Sequence, residues 1–160
     1  MPVLDLLDLH AAVPARAPLV GLDLGEKTIG VAVTDLTWNF ASSLALIKRR
    51  KFTEEADELF EHMASRGAAG LVVGLPLNMD GTEGVRCQSN RAFGRNLLRI
   101  RPDLPIAFWD ERLSTVAVER ILIGEADLSR AKRAEVVDRA AAAYILQSAL
   151  DRLRSVGGAR

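Results

Sequence analysis

The chain has 160 residues, of which 49% are hydrophobic and 26% charged, and this composition is typical of a single globular domain with a proper core. Its 21 basic and 21 acidic residues give a net charge of zero, so the overall charge does not indicate a nucleic-acid partner. Because it has no apolar run near the ~20 residues that span a bilayer, no secretory signal and only one cysteine, Cys87, we expect a cytoplasmic protein with no membrane partner.

Residues 1–18 contain three prolines and show no sustained hydrophobic period. This segment is therefore predicted to be an irregular N-terminal leader. A single domain is expected to follow it over residues 19–156, because the sequence shows no internal repeat, linker or low-complexity tract.

The first predicted elements of that domain are three strands. Alternating apolar and small residues indicate a strand over 19–24, with the sequence LVGLDL, and a second over 29–35, with the sequence IGVAVTD. The tight turn GEKT between them makes these two strands antiparallel. A third strand is predicted over residues 43–50, with the sequence SLALIKRR.

Helices alternate with strands over the remainder of the chain. Thr53 is the predicted N-cap of a helix that ends at Gly67. The unalternating apolar run AAGLVVGLP, residues 68–76, is typical of a strand buried on both faces. The elements that follow are a helix to about Arg101, a fifth strand over LPIAFWDER, a helix from Ser114 to about Gly124 and a long helix from about Arg130 to Arg154.

The order of these elements predicts the fold class. A three-strand antiparallel meander, followed by parallel strands with helices between them, gives an α/β domain with a mixed five-stranded sheet and flanking helices. Few layouts have this order, and the ribonuclease H-like layout is prominent among them.

Asp23 is the first candidate functional residue, because it lies within a strongly apolar strand. At a period of two residues it shares one face of the strand with Gly21 and Gly25, while the opposite face carries apolar side chains. A face with one acid and almost no side-chain bulk is suited to the close approach of a ligand. Taken alone, Asp23 is equally compatible with a lysine pair or a turn cap.

Three further acids lie where they could join Asp23. Asp110 and Glu111 are at the carboxyl end of the fifth strand, in the sequence WDER, and Asp138 is on the apolar stripe of the long helix. Ligand sites in open α/β sheets form beside strand ends, so Asp23, Glu111 and Asp138 are predicted to meet in one cleft. Solvation, or a pair with a neighbouring arginine, is the alternative for each of these acids alone.

Clustered carboxylates repel one another unless a cation compensates them. Oxygen ligands without nearby His or Cys favour Mg²⁺ or Mn²⁺ over zinc. Two such ions would stabilise the attacking and leaving oxygens of a phosphodiester cleavage. The acids therefore favour a metal-dependent nuclease with Asp23, Glu111 and Asp138 as ligands.

The basic residues are a weaker indication of nucleic-acid binding than the acids are of a metal site. Arg91, Arg95 and Arg99 recur at i, i+4 and i+8 on the second helix of the domain, and the run KRRK, residues 48–51, ends the third strand. Each set could contact phosphates. An ordinary solvated face is the slightly favoured alternative for both.

Four segments together resemble the YqgF/RuvX family, in the same order along the chain. They are GLDLGEKTIGVAVTD, VVGLPLNMDGTEG, DERLST and VVDRAAAAYILQSALD, and the resemblance extends from Leu19 to Asp151. Members of this family are described as pre-16S rRNA nucleases and as Holliday junction resolvase-like proteins. The segments GLPLNMDGTEG and DER are specific to the family.

The resemblance implies a ribonuclease H-like fold and a metal-dependent endonuclease, a hydrolase that processes the 5′ end of 16S ribosomal RNA in the cytoplasm during ribosome biogenesis. By position in the motifs, the catalytic acids and Mg²⁺ or Mn²⁺ ligands are Asp23, Glu111 and Asp138, and Asp110 is a further candidate ligand. The residues expected to contact nucleic acid are Lys27, Asn78, Gly81, Arg91, Arg95 and Arg112.

Two features depart from related proteins. Thr28 stands where many relatives have an arginine, which leaves one phosphate contact to Lys27. Junction resolvases of the same fold carry an acid at the end of the fourth strand, and this chain has the sequence GLP there, over residues 74–76. Junction cleavage is therefore the less expected activity.

Three alternatives stay open beside the RNA nuclease. A DNA endonuclease would act on branched substrates such as four-way junctions, and a non-catalytic nucleic-acid-binding factor would serve transcription or ribosome assembly. The sequence GLDLG also opens sugar-kinase and actin-like ATPase domains, but those proteins clamp ATP between two domains and this chain has room for one. A monomer and a homodimer are both compatible with the sequence.

Overall fold

The computed structural model describes residues 4–113 and 130–156, with the backbone alone for residues 130–139. Its central element is a sheet of five strands, β1 Leu19–Leu24, β2 Thr28–Thr34, β3 Ala41–Lys48, β4 Gly70–Leu75 and β5 Ile106–Asp110. The strand order is β3-β2-β1-β4-β5. Antiparallel pairing joins β1, β2 and β3, whereas β4 and β5 are parallel to β1, which confirms the predicted mixed sheet.

Helices cover both faces of this sheet. They are α1 Leu6–Ala12, α2 Phe52–Arg66, α3 Val85–Ile100 and α4 Arg130–Ser155, with a 3-10 turn at Glu111–Leu113. The apolar residues of α2 and α3 form one core cluster with β1, and those of α1 and α4 form a second cluster on the other face. The helix predicted from Ser114 to about Gly124 lies outside the described residues. Within the described ranges, no helix combines the length and the apolarity needed to cross a membrane.

The two faces of β1 differ as the sequence predicts. Val20, Leu22 and Leu24 belong to the core cluster beneath α2 and α3. On the other face, a β-carbon on Gly21 would lie 2.8 Å from the β-carbon of Leu146 in α4. The absence of a side chain at Gly21 therefore lets α4 approach the backbone of the central strand.

The N-terminal segment contains a helix, so the prediction of an irregular leader is wrong for residues 6–12. The Asp5 side chain caps α1 by accepting a bond from the Asp8 N–H at 2.9 Å. Leu9 is fully buried in the core cluster on the α4 face of the sheet. The helix has only seven residues, which is too few turns to show a hydrophobic period in the sequence.

The helix α2 begins earlier than predicted. Lys51 occupies the N-cap position without a side-chain capping bond, so the prediction that Thr53 caps the helix is wrong. The buried Glu55 carboxylate instead accepts a bond from the Arg50 N–H at 2.8 Å, just before the helix starts. Gly67 ends α2 with φ +66°, which confirms the predicted C-terminal end.

The strand β5 is shorter than the predicted segment 104–112. Its pairing with β4 ends at Leu75 and Asp110. Beyond this point the Leu75 carbonyl accepts a bond from the Leu77 N–H at 3.0 Å. Glu111 leaves the sheet and begins the 3-10 turn.

Candidate active site

Asp23 lies on the central strand of the sheet, with glycines as its neighbours on both adjacent strands. Since residues alternate along a strand, it shares the α4 face of β1 with Gly21, and 7% of Asp23 is exposed. Gly30 is its partner in β2. On the other side, the parallel register of β1 and β4 brings Gly74 beside Asp23. Glycines therefore flank this carboxylate on both neighbouring strands.

The Glu111 carboxylate lies over Gly74. Its Oε2 is 3.0 Å and its Cδ is 3.1 Å from the point where a β-carbon on Gly74 would lie. Adjacent strands are about 4.8 Å apart, so Asp23 and Glu111 present their carboxylates on the same face at neighbouring strands. The structure brings these two acids together, and Gly74 provides the room for the second one.

Asp138 is on α4. The direction of this helix places residue 138 toward the end of the sheet that carries Asp23 and Glu111. Ile145 follows two turns later, and its Cδ1 lies 2.9 Å from the same β-carbon position on Gly74. Farther along α4, the Gln147 side chain accepts a bond from the Ala41 N–H at 2.8 Å, at the opposite end of the sheet. The side chain of Asp138 lies outside the described residues, so its role stays a prediction.

Asp110 does not face the Asp23–Glu111 pair. Residues alternate along β5, so Asp110 shares the α3 face of the sheet with Phe108. Arg112 donates to both of its oxygens, from Nε at 3.0 and 3.1 Å and from Nη2 at 2.7 Å. This hydrogen bonding holds the pKa of the Asp110 carboxyl below its usual value. Its carboxylate is therefore engaged by Arg112 on the other side of the sheet.

Asn78 and Gly81 shape the loop between β4 and α3. The Asn78 N–H donates to the Thr82 carbonyl at 2.9 Å, and the Asn78 carbonyl accepts from the Gly81 N–H at 2.8 Å. Gly81 has φ +89°, in the region that favours glycine. Arg112 ties this loop to the end of β5, because its Nη1 donates to the Met79 carbonyl at 3.3 Å. Three residues that were predicted to contact nucleic acid therefore lie at one loop.

The other residues predicted to contact nucleic acid are more dispersed. Arg91 makes a two-point ion pair with Glu83, at 2.7 and 3.0 Å, and its guanidinium lies 5.2 Å from the ring centroid of Phe108. This pairing keeps the pKa of Glu83 below its usual value. Arg95 is exposed on α3, and Lys27 is exposed in the turn between β1 and β2. Arg91 thus has an acidic partner of its own, whereas Arg95 and Lys27 are open to solvent.

Two arginines that the sequence did not single out contact the backbone carbonyls just after Asp23. Arg86 donates to the Leu24 carbonyl at 3.3 Å, and Arg49 donates to the Gly25 carbonyl at 2.9 Å. Arg49 belongs to the run KRRK, for which a solvated strand end was the favoured interpretation. Arg86 had no signal in the sequence, because its proximity to β1 depends on the tertiary position of α3.

The donor chemistry of the Asp23–Glu111 pair fits a hard divalent cation. Two carboxylates at one point of the sheet supply the oxygen ligands that Mg²⁺ and Mn²⁺ prefer. In the part of the chain that the structure describes, no group of three or more His, Cys, Asp or Glu side chains is arranged to hold a metal ion. A third acidic ligand would therefore come from the remaining side chains, among which Asp138 is the predicted one.

Comparison with known proteins gives similarity along nearly the whole chain. A family model described as RuvX: Holliday junction resolvase matches residues 17–152. Over 156 residues the chain is 68% identical to a Phenylobacterium zucineum protein named "Putative pre-16S rRNA nuclease", and the match covers 98% of this chain and 100% of that protein. A Rhodospirillum rubrum protein of the same name is 60% identical over 153 residues, with 96% of this chain and 94% of that protein covered.

The fold also matches a solved structure. The chain superposes on T. thermophilus RuvC in complex with Holliday junction substrate with a TM-score of 0.52, covering 87% of this chain and 97% of that one. The sequence identity is 12%, so this likeness is evidence on the fold alone. It confirms the predicted fold class, a ribonuclease H-like mixed sheet with flanking helices.

Proposed function

The chain belongs to the RuvX family, and on that basis we propose that it is a metal-dependent endonuclease that hydrolyses phosphodiester bonds at the 5′ end of precursor 16S ribosomal RNA. The names of relatives at 60% and 68% identity support the ribosomal substrate. The observation that carries the proposal is the position of the Glu111 carboxylate over Gly74, beside Asp23 on the same face of the sheet. Such processing would take place in the cytoplasm, by a monomer or a homodimer.

In this proposal Asp23 and Glu111 hold Mg²⁺ or Mn²⁺, with Asp138 of α4 as the third ligand. A bound ion of this kind supplies an activated water and stabilises the charge that develops on the phosphate oxygens. Gly30 adds no side chain beside Asp23, and Gly74 makes room for the Glu111 carboxylate. The two glycines therefore allow two hard ligands to meet on one face of the sheet.

Asp110 acts as a positioning residue in this proposal, although the sequence made it a candidate ligand. It holds Arg112 by three hydrogen-bond contacts, and Arg112 in turn holds the loop at the Met79 carbonyl. The loop is thereby held at the carboxyl end of β4 and β5. Asn78 and Arg112 are its proposed contacts to the nucleic-acid backbone, and glycine at residue 81 adopts the positive φ of the loop without strain.

Lys27, Arg91 and Arg95 are proposed as outer contacts with the substrate. Lys27 and Arg95 are exposed, and Arg91 presents the edge that Glu83 does not engage. Contacts of this kind strengthen binding to phosphates without reading the sequence of the bases.

Cleavage of branched DNA is the second candidate function, and the description of the family model favours it. The fold that the chain shares with RuvC does not distinguish RNA from DNA at 12% identity. The sequence GLP at the end of β4, residues 74–76, lacks the acid that is expected there in a junction resolvase, which favours RNA.

Cleavage of a 5′-extended 16S precursor in Mg²⁺ or Mn²⁺ tests the proposal on the wild type, Asp23→Asn and Glu111→Gln. The matched control is Asp57→Asn, which changes an exposed acid on α2 in the same way. Both site variants should lose cutting, and the control should keep it. Circular dichroism should show that all four proteins are folded. Asp138→Asn extends the series to the third proposed ligand, and a four-way DNA junction assayed in parallel separates the two substrates.

Two results would contradict the proposal. If the folded wild type binds the RNA without cutting it, the protein is a non-catalytic binding factor. If both site variants cut as well as the wild type, the Asp23–Glu111 pair has no part in the chemistry.

A further inference from the structure

A cleft of about 330 Å³ opens where the carboxyl end of β1 meets the residues that precede α2 and the first turns of α3. We call it the arginine cleft, and the residues of its wall that matter here are Leu24, Gly25, Arg49, Arg50, Arg86 and Asn90. Because Leu24 belongs to the core cluster beneath α2 and α3, the cleft lies on the opposite side of the sheet end from the carboxylate pair.

The two backbone carbonyls that follow Asp23 hold two of these arginines. The Leu24 carbonyl accepts from Arg86 Nη2 at 3.3 Å, and the Gly25 carbonyl accepts from Arg49 Nη1 at 2.9 Å. Both guanidinium groups are therefore attached to the central strand within two residues of the acid. An anion that bridges them would lie at the end of the strand that carries Asp23.

The wall of the cleft that α3 forms contacts β4, the strand beside Asp23 over which Glu111 lies. Asn90 is 4% exposed, and its side-chain amide donates to the Gly74 carbonyl at 2.9 Å. Gly74 is the residue over which the Glu111 carboxylate lies. The arginine cleft thus adjoins both strands that position the acids, and a strand of nucleic acid that crosses the sheet end would contact both sites.

The charges of the three arginines are not equally compensated. Arg49 Nε donates to the buried Glu55 at 2.8 Å, and Arg50 Nη2 donates to Glu58 at 2.8 Å. The described contact of Arg86 is with a carbonyl, which does not neutralise a guanidinium. Arg86 is therefore the member of the cleft best suited to bind an added anion.

We infer that the arginine cleft binds a backbone phosphate of the substrate strand, next to the phosphodiester at the Asp23–Glu111 pair. The inference rests on the proposed nuclease function and adds a second contact point to it. Guanidinium groups bind phosphate oxygens through two parallel N–H bonds, and Arg86 is the principal ligand. Arg49, oriented by Glu55, is the second. Glu26 also lines the cleft, but it is exposed and solvent screens its charge.

The test is the binding of a 5′-extended 16S leader RNA without divalent metal, measured from about 0.05 to 0.3 M salt. Arg86→Gln should weaken binding about fivefold near 0.1 M salt and lower the slope of log K against log[salt] by about 0.7, the contribution of one phosphate in a single strand. Arg86→Lys keeps the charge and should restore the slope. Arg66→Gln removes an exposed arginine at the far end of α2 and should change neither quantity.

An unchanged slope in Arg86→Gln would overturn the inference. Inorganic phosphate, titrated alone, distinguishes a free anion from a strand: if Arg86→Gln loses phosphate binding but keeps the RNA slope, the cleft holds free phosphate and the inference also fails. Cutting in the presence of metal is measured on the same preparations. If the wild type cuts and the salt slope of Arg86→Gln is unchanged, the nuclease function stands and phosphate binding by the arginine cleft is overturned. If Arg86→Gln lowers the slope but the wild type does not cut, phosphate binding by the cleft is supported and the nuclease function is overturned.

Discussion

The Glu111 carboxylate lies 3.0 Å from the point where a β-carbon on Gly74 would be, so a glycine at the end of one strand makes room for an acid that follows the next strand. Because Gly74 lies beside Asp23, residue 74 decides whether the two acids can meet. The sequence GLP marks this strand end as lacking an acid of its own. In the structure, an acid from beyond β5 occupies the space above it.

Gly74→Ala should reduce cutting far more than it reduces stability. The new β-carbon would lie 2.9 Å from Ile145 Cδ1 and 3.0 Å from Glu111 Oε2, so at least one of these groups must move. A displacement of about 1 Å at a reacting centre costs on the order of 10²-fold in rate, while overpacking of this kind costs about 1–3 kcal/mol of stability. Cleavage rates on precursor RNA and urea unfolding measure the two effects.

The control for this prediction is Gly67→Ala. It places alanine at φ +66°, which costs about 1–2 kcal/mol at the end of α2, away from the acids. An equal loss of cutting in Gly67→Ala and Gly74→Ala would attribute the effect to general destabilisation.

Acid should remove the stability that the Asp110–Arg112 pair contributes. The bond from Arg112 lowers the pKa of Asp110 in the folded protein below the value of 3.8 that applies to the unfolded chain. The folded state therefore favours the carboxylate, and this contribution is present above the unfolded pKa and is lost as the pH falls through the folded one. Asp110→Asn lacks the contribution at every pH.

Urea unfolding of the wild type and Asp110→Asn measures this dependence. The difference between their free energies of unfolding should be constant from about pH 7 to about pH 5 and should shrink below about pH 4. A difference that stays constant down to about pH 2 would show that the pair does not stabilise the fold through its charge.

Glu55→Gln should destabilise the protein by about 1.5 kcal/mol, at the lower end of the range for hydrogen bonds to charged groups because Arg49 is partly exposed. The Glu55 side chain is 2% exposed and accepts bonds at 2.8 Å from both Arg49 Nε and the Arg50 N–H. Glu54→Gln is the matched control, since Glu54 is 55% exposed and lies 3.8 Å from Arg50. Thermal unfolding measures both variants, and equal midpoints would contradict the prediction.

Leu9→Ala should destabilise the whole domain by about 2–5 kcal/mol, the cost of truncating a buried leucine. Leu9 is 0% exposed and packs in the core cluster on the α4 face, whereas Leu7 on the same helix is 55% exposed. Leu7→Ala should therefore change stability by no more than about 0.5 kcal/mol. If Leu9→Ala unfolds at the wild-type urea concentration, α1 does not contribute to the core.

The sequence predicted the sheet because the signals that define strands are local. The alternation of Val20, Leu22 and Leu24 against Gly21 and Asp23 is repeated within six residues, and it gives both the strand and its two different faces. The short helix α1 lacks such a repeat, and its stability comes from the packing of Leu6, Leu9 and the C-cap residue Val13 against distant elements.

The sequence could not assign the two neighbouring acids at the end of β5. Asp110 ends β5 and Glu111 begins the 3-10 turn, so the two side chains lie on opposite faces of the sheet. An apolar strand that is buried on both faces does not indicate which face α4 covers, so the sequence could not show which of the two acids meets Asp23. Likewise, nothing near Arg86 in the sequence indicates that α3 brings it to the Leu24 carbonyl.

The strand order has a consequence for the time at which the protein can act. Asp23 belongs to the first strand and Glu111 follows the last, and β4 must lie between β1 and β5 before the two acids can meet. Domains begin to form while their chains are still being synthesised. A nascent chain that has formed only the β1–β3 meander carries one acid of the pair and lacks α4 altogether. In the proposed mechanism, which needs both acids, the chain therefore cannot cut ribosomal RNA until its own synthesis is nearly finished.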